Sequence, residues 1–417
     1  MDAILIKRTW RFGLLAKVLA TSVFLASCGG SSDEQGAGGA TGNADPATRA
    51  KIETVAQQVI KEHKLRSLII RITKDGQDVY TSAMGESITG VPVTPQMHIR
   101  NGAFAFTYIG QIFAKLVDEG ELTLDHKVAT WWPELPRADQ VSVKNLLNMT
   151  SGYADYVYQP ELIAAVYADP FRAFTTDELV AIGVAAPAKF APGTNWHYSH
   201  TNYAILGKLL EKITGKPLDE VMEKYIIKPM GLTDTSSNGN TPAIPEPVLH
   251  SFSSERRDYL QIPAGTPFYE DATFWNPSWT IANGAVQTTT IYDLTKSMEI
   301  VGSGAQVSRE MYEEQVLPKL IGFGDPSTCD GCQHLTKDMS YGLGVMLTGE
   351  WISQTKNFAG SGVSSGYLPS KKLTISVSTT YQPEAFDDKG EFRNASGPIL
   401  RSFIEVVAPD SVPRIIP

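Results

Sequence analysis

The chain has 417 residues, of which 42% are hydrophobic and 19% charged, and its formal charge is -9. That length carries one large domain or two interlocked ones with a sizeable core, and the composition is that of an ordinary globular protein. The acidic balance and the lack of a basic block argue against nucleic acid as a partner.

In chain order, the first segment reads as a processing signal. Lys7, Arg8 and Arg11 precede an apolar run, LLAKVLATSVFLA, that Lys17 interrupts. The run is too short and wrongly flanked for a spanning helix, so residues 1–27 are expected to be a signal peptide. The run ends in Leu25-Ala26-Ser27-Cys28, which resembles a bacterial lipobox. That resemblance implies lipidation of Cys28 and a membrane anchor in the cell envelope. Gly29 after the cysteine implies the outer membrane, facing the periplasm. The alternative is a plain signal peptide with a chance cysteine. Residues 28–47, rich in Gly, Ser and Ala without apolar periodicity, read as a flexible tether.

A helix is predicted over 47–64, with Ile52, Val55, Val59 and Ile60 on one face. SLIIRIT and QDVYTSA then read as strands joined at Asp75-Gly76, a strong hairpin signal. A helix over 107–119 buries Ile109, Ile112, Phe113, Leu116 and Val117, and Gly120 caps it. Residues 121–290 form a loop-rich, mostly helical insert in which Gly215 separates two helices. YGLGVMLT, WISQTKNFAG and KLTISVSTTY return to strands, and SGPILRSFIEVVA closes the fold as a helix. The expected class is α/β in the α+β sense: an antiparallel sheet flanked by terminal helices, with an inserted helical region. The domain spans 48–408, and 409–417 is a tail.

Cysteine usage agrees with export. Besides Cys28 only Cys329 and Cys332 occur. A loop disulfide is the expected state. A redox pair lacks the surrounding βαβ pattern, and a metal site with His334 needs a distant fourth ligand.

Several stretches stand in an order that resembles the serine β-lactamase, penicillin-binding protein and esterase family, in particular its class C-like branch. They are GELTLDHKVATWWPELP, VSVKNLLNMTSGY, NWHYSHTNYAILGKLLEKITG and WTIANGAVQTTTIYDLTK. The resemblance covers most of 48–408 and implies a β-lactamase/transpeptidase-like fold. It also implies three catalytic clusters: Ser-x-x-Lys at the start of a helix, Tyr-x-Asn on a loop, and Lys-Thr-Gly or His-x-Gly on a strand.

Laid on this chain, the serine position is Ala103 and the lysine position Phe106, within RNGAFAF. Neither side chain attacks a carbonyl or moves a proton. The tyrosine persists as Tyr198, but His200 replaces the asparagine. The third cluster reads Gly360-Ser361-Gly362 and has lost its cation. On a continuous strand Lys356 lies roughly 13 Å from Gly360, too far to substitute. A pocket lined by Ala103, Phe106, Tyr198, His200, Gly360 and Gly362 is expected, with Phe104 and Phe106 making it apolar or filling it.

The first expectation is therefore a pseudoenzyme: a ligand- or partner-binding lipoprotein with no β-lactamase or DD-peptidase activity. Its partner would be an acyl-type small molecule, a peptide or an envelope protein. The alternative is a hydrolase or acyl-transfer enzyme on an ester, amide or peptide, built around Tyr198 and His200. A histidine works as a base near neutral pH where asparagine does not. Ser361 or Ser199 is then the candidate nucleophile, against turn and structural roles for both. A His197/His200 metal pair is a remoter option. No cofactor and no metal are expected.

Overall fold

The computed structural model describes residues 39–416 except Asn238 and Pro318. The expected signal peptide and Cys28 lie outside the described residues. The described end of the expected tether is tied down: Thr41 exchanges backbone bonds with Thr81, and Arg49 Nη1 donates to the Ala40 carbonyl at 2.8 Å.

Helix α1 (Pro46–Glu62) begins where Asp45 accepts from the Ala47 and Thr48 amides, with Pro46 in the first turn. Strands β1 (Leu65–Lys74) and β2 (Gln77–Gly85) form the predicted hairpin. Its turn residues Asp75 (φ 52°) and Gly76 (φ 74°) both take the left-handed conformation that a two-residue turn demands. A short β3 (Ile99–Arg100) leads into α2 (Phe104–Asp118).

The insert contains α3 (Thr176–Ala185), capped reciprocally by Thr175 and Glu178, and α4 (His200–Thr214), which ends at left-handed Gly215. Two short strands, β4 (Ser236–Ser237) and β5 (Gln287–Thr289), complete a small sheet with β3, and α5 (Ile291–Ser303) follows. The C-terminal part runs β6 (Ser340–Tyr341), β7 (Met346–Thr348), β8 (Trp351–Phe358), β9 (Ser361–Leu368), β10 (Leu373–Tyr381) and α6 (Ser396–Val407).

The main sheet has seven antiparallel strands in the order β2-β1-β10-β9-β8-β7-β6. This is the expected α+β class. One face packs Leu68, Ile70, Ile72, Ile375 and Val377 against Ile52, Ala56 and Val59 of α1 and Ile399, Leu400 and Phe403 of α6. On the other face Ile69 and Val363 meet Phe104 of α2 and Leu294 and Met298 of α5. Alternate residues of a strand point to opposite faces, so a sheet covered on both sides reads as nearly unbroken apolar runs, as LIIRI does. The expected tail is not free either: Trp351 Nε1 donates to the Ser411 carbonyl at 2.7 Å, and Ile416 joins the core of the helix-covered face.

Helix α2 starts earlier than its periodicity suggested, because Phe104 and Phe106 are themselves core residues. Every residue from Phe104 to Ala114 is buried. The interface is close enough that a side chain at Gly110 would collide with the Leu343 carbonyl.

Candidate active site

At the start of α2 lies a cavity of about 530 Å³. Ala103, Tyr198 and His200 line it together with Arg100, Gly102, Tyr341 and Lys356. Three of the residues expected at the pocket therefore meet. Phe106 does not line the cavity: it stacks on Tyr203 with ring centroids 3.9 Å apart and forms a wall behind Tyr198 and His200. Phe104 points the other way, into the sheet face. The expectation that these rings fill the pocket is thus corrected, since the helical period sends 104 and 106 into two different cores and leaves the cavity open at Ala103.

Gly360 and Gly362 do not line the cavity either. Ala359 (φ 41°) and Gly360 (φ 73°) form a two-residue turn that pairs Phe358 with Ser361. Only glycine fits at 360, because a Cβ there would collide with the Phe252 carbonyl. A Cβ at 362 would run into Asn394.

The same turn overturns the expected remoteness of Lys356. The chain reverses after Phe358, so Lys356 lies opposite Val363, and its Nζ sits 2.8 Å from Ser361 Oγ. The lysine stem lies against the Cα of Gly102, where any side chain would clash. Burial first, and then the Arg100 guanidinium, bring the Lys356 ammonium down to about 7. Arg100 is fixed by donating to the Trp275 and Pro242 carbonyls, and burial brings it down to about 10.

His200 is the first residue of α4. Its Nδ1 is 2.9 Å from Asp155 Oδ2, and Asp155 is almost fully buried. The carboxylate is held in turn by the Val157 amide at 3.2 Å. With Nδ1 committed to Asp155, Nε2 is the nitrogen left for chemistry in the cavity. The His200 ring is boxed by Phe106 (5.4 Å between centroids), Tyr198 (5.3 Å) and Tyr156 (6.2 Å). The Tyr198 hydroxyl makes no hydrogen bond with another described residue. Burial holds it well above the usual phenol range, so it is a neutral donor near pH 7 and not a base.

Ser199 is turned away and donates to the Ala154 carbonyl at 3.2 Å, which leaves it the structural role. His197 belongs to a second cavity, of about 300 Å³, shared with Lys189 and Asp330. His200 lines the first cavity and not this one, and among the described residues no group of three or more His, Cys, Asp or Glu that could hold a metal ion is present. Cys329 and Cys332 are joined in a disulfide, and His334 Nδ1 sits 2.8 Å from the Gly324 carbonyl, so the cysteines are not thiolate ligands.

Sequence reasoning missed Asp155 and Arg100 and set Lys356 too far away. Asp155 stands 45 residues before His200, and no local pattern joins them. The signal for Lys356 was the glycine after Ala359, which permits the reversal.

The profile of the Beta-lactamase family matches residues 52–396, so the chain belongs to that family. It is 28% identical over 238 residues to esterase EstB of Burkholderia gladioli, covering 51% of this chain and 58% of the esterase. It is 32% identical over 179 residues to penicillin-binding protein 4 of Amycolatopsis lactamdurans, covering 41% and 44% of the two chains. The chain thus spans about half the length of the curated relatives it matches. Among solved structures, the D-stereospecific amidohydrolase from Streptomyces sp. aligns with a TM-score of 0.69 at 22% identity, over 85% of this chain and 97% of that one. The D-amino acid amidase from Ochrobactrum anthropi SV3 complexed with L-phenylalanine amide aligns with a TM-score of 0.71 at 19% identity, over 87% and 99%. These structural likenesses establish the fold.

Proposed function

Starting from that family membership, we propose that the chain is a hydrolase of an ester, amide or peptide in which His200, oriented by Asp155, activates water directly. The observation that carries this reading is the His200–Asp155 pair, at 2.9 Å, beside a cavity whose nucleophile position is Ala103. A buried carboxylate on Nδ1 fixes the ring and stabilises the imidazolium that forms when Nε2 takes a proton. With no hydroxyl at position 103, the attacking oxygen comes from water, and Tyr198 donates a hydrogen bond to the carbonyl. Aromatic walls and two cationic groups, Arg100 and Lys356, suit an acyl compound that is apolar and gathers negative charge as it reacts. The names of the esterase and amidase relatives support the same substrate class. β-Lactamase and DD-peptidase activities, which run through an acyl-serine, are excluded on this reading. Lipid anchoring through Cys28 and an envelope location belong to it as well.

A second reading, binding of an acyl compound or an envelope protein without turnover, is favoured by one observation: Phe106 has been absorbed into the core. A panel of p-nitrophenyl esters, D-amino-acid amides and a chromogenic lactam decides between the two, with wild type run beside His200→Ala, Tyr198→Phe and Ser361→Ala. Turnover lost in His200→Ala supports hydrolysis. Turnover equal to buffer in all four proteins, with retained ligand binding, supports the second reading.

A further inference from the structure

Direct attack by water sets one further requirement. An alkoxide or amine leaves a tetrahedral intermediate readily only if it receives a proton. The imidazolium formed when His200 takes the water proton is one donor for it, and a second cationic group in the cavity is the other. We infer that Lys356, carried into the cavity by β8, is the proton donor to the leaving group.

Three features of the structure argue for this. Lys356 lines the same cavity as Ala103 and His200. Its stem rests on Gly102, which has φ 54° and no side chain to stand in the way, so it reaches the start of α2 from outside that helix. Its Nζ is held at 2.8 Å by Ser361 Oγ, which fixes its direction. Ser361 is thereby a positioning residue and not the nucleophile.

Burial first, and then the Arg100 guanidinium, set the strength of Lys356 as an acid. Arg100 of β3, Tyr198, His200 at the start of α4 and Tyr341 of β6 line the same cavity, while the Phe358 ring of its own strand lies 5.9 Å from Nζ. Asn394 donates to the Lys356 carbonyl at 3.3 Å. Among the described residues no carboxylate lines this cavity. A lysine at the ordinary value of 10.5 gives up its proton reluctantly, whereas one brought to about 7 is matched to neutral operation.

The step balances. A water proton passes to His200 Nε2, and the oxygen bonds to the acyl carbon. The bond to the leaving oxygen or nitrogen then breaks, its electron pair goes to the leaving atom, and that atom takes the Lys356 proton. His200 returns its proton to solvent and Lys356 regains one. The substrates that need this group are alkyl esters and amides. A p-nitrophenolate departs without help.

The inference rests on the hydrolase reading, and the test separates the two. kcat/KM is measured from about pH 5.5 to 9.5 for an ethyl and a p-nitrophenyl ester of one acid, across the range where a donor near neutrality titrates. Wild type, Lys356→Met, Lys356→Arg and Ser361→Ala are compared. Wild-type activity on the ethyl ester is expected to fall as pH rises through about 7, because the ammonium is lost. Lys356→Met lowers ethyl-ester turnover by about 10²–10⁴-fold, lowers p-nitrophenyl turnover far less, and removes the descending limb. Lys356→Arg keeps the charge but does not restore the limb. Ser361→Ala keeps the lysine and moves the limb to lower pH, which carries the test if Lys356→Met does not fold. Equal losses on both esters, or a limb that persists in Lys356→Met, overturn the inference and leave hydrolysis by His200 standing. Wild type inert on both esters takes down the hydrolase reading and this inference together.

Discussion

Replacing Asp155 by Asn tests the proposed base without emptying its place. The carboxylate is almost fully buried and 2.9 Å from His200 Nδ1. The amide keeps the volume but removes the charge that favours the imidazolium, and it presents a donor where the ring needs an acceptor. A hydrogen bond to a charged group contributes about 1.5–3 kcal/mol, and His200 is still part-exposed to solvent, so the fold should survive with a lowered Tm. The kinetic effect should be larger. Loss of a positioned general base costs about 10²–10⁴ in rate. At about 1.36 kcal/mol per tenfold, the barrier should rise by roughly 2.7–5.4 kcal/mol. The assay is kcat/KM for a p-nitrophenyl ester, with circular dichroism as the folding control. A folded Asp155→Asn protein that keeps its turnover within about twofold would refute the role given to the pair, since that difference is only about 0.4 kcal/mol.

Three other outcomes are expected. Phe106→Ala empties a fully buried site stacked on Tyr203, so it should cost about 3–5 kcal/mol of stability in denaturant unfolding and also loosen His200. Lys356 binds its proton less well folded, at about 7, than unfolded, at 10.5, so the folded state carries fewer protons between those values. Its contribution to stability therefore rises with pH from about 7 towards 10.5, and the buried ammonium is most costly below 7. In thermal scans Lys356→Met should be stabilised relative to wild type at pH 6, with the gap closing as pH rises. Cys28→Ser should abolish incorporation of radiolabelled palmitate and release the protein from the membrane fraction. Unchanged labelling would remove the lipid anchor from the account.

The fold was largely legible because its signals are local. The hairpin at Asp75-Gly76, the stop at Gly215 and the apolar stripe of α2 each depend on residues within a turn or two of one another. The site was legible only in part. Tyr198 and His200 were found because they stand beside a recognisable stretch. Asp155 was not, because its partnership with His200 is made by tertiary folding. Lys356 was misplaced for a sharper reason. Reading 351–360 as one continuous strand set it far from Gly360, whereas two successive left-handed residues at 359 and 360 fold the strand back and bring Ser361 to it. Ala359 is not a residue that announces such a turn.

The sequence change at α2 has a structural consequence beyond losing two reactive groups. In the family pattern the nucleophile and its base share one helix face. Here that face has been divided: Ala103 stays at the cavity, while Phe106 has become core against Tyr203. Restoring a serine at 103 alone would not rebuild the old route, because the side chain at 106 is a phenylalanine buried against Tyr203 and moves no proton. On the proposed mechanism the proton-handling groups come from the first residue of α4 and from β8, which line the same cavity as Ala103. That mechanism forms no covalent acyl intermediate. Product should therefore appear without a pre-steady-state burst, in contrast to acyl-enzymes, for which bursts and ping-pong kinetics are the fingerprints. A burst of p-nitrophenol equal to the enzyme concentration would mean that a side chain attacks the ester and is acylated after all, and Ser361, the hydroxyl already bonded to Lys356, would be the first residue to examine by peptide mapping.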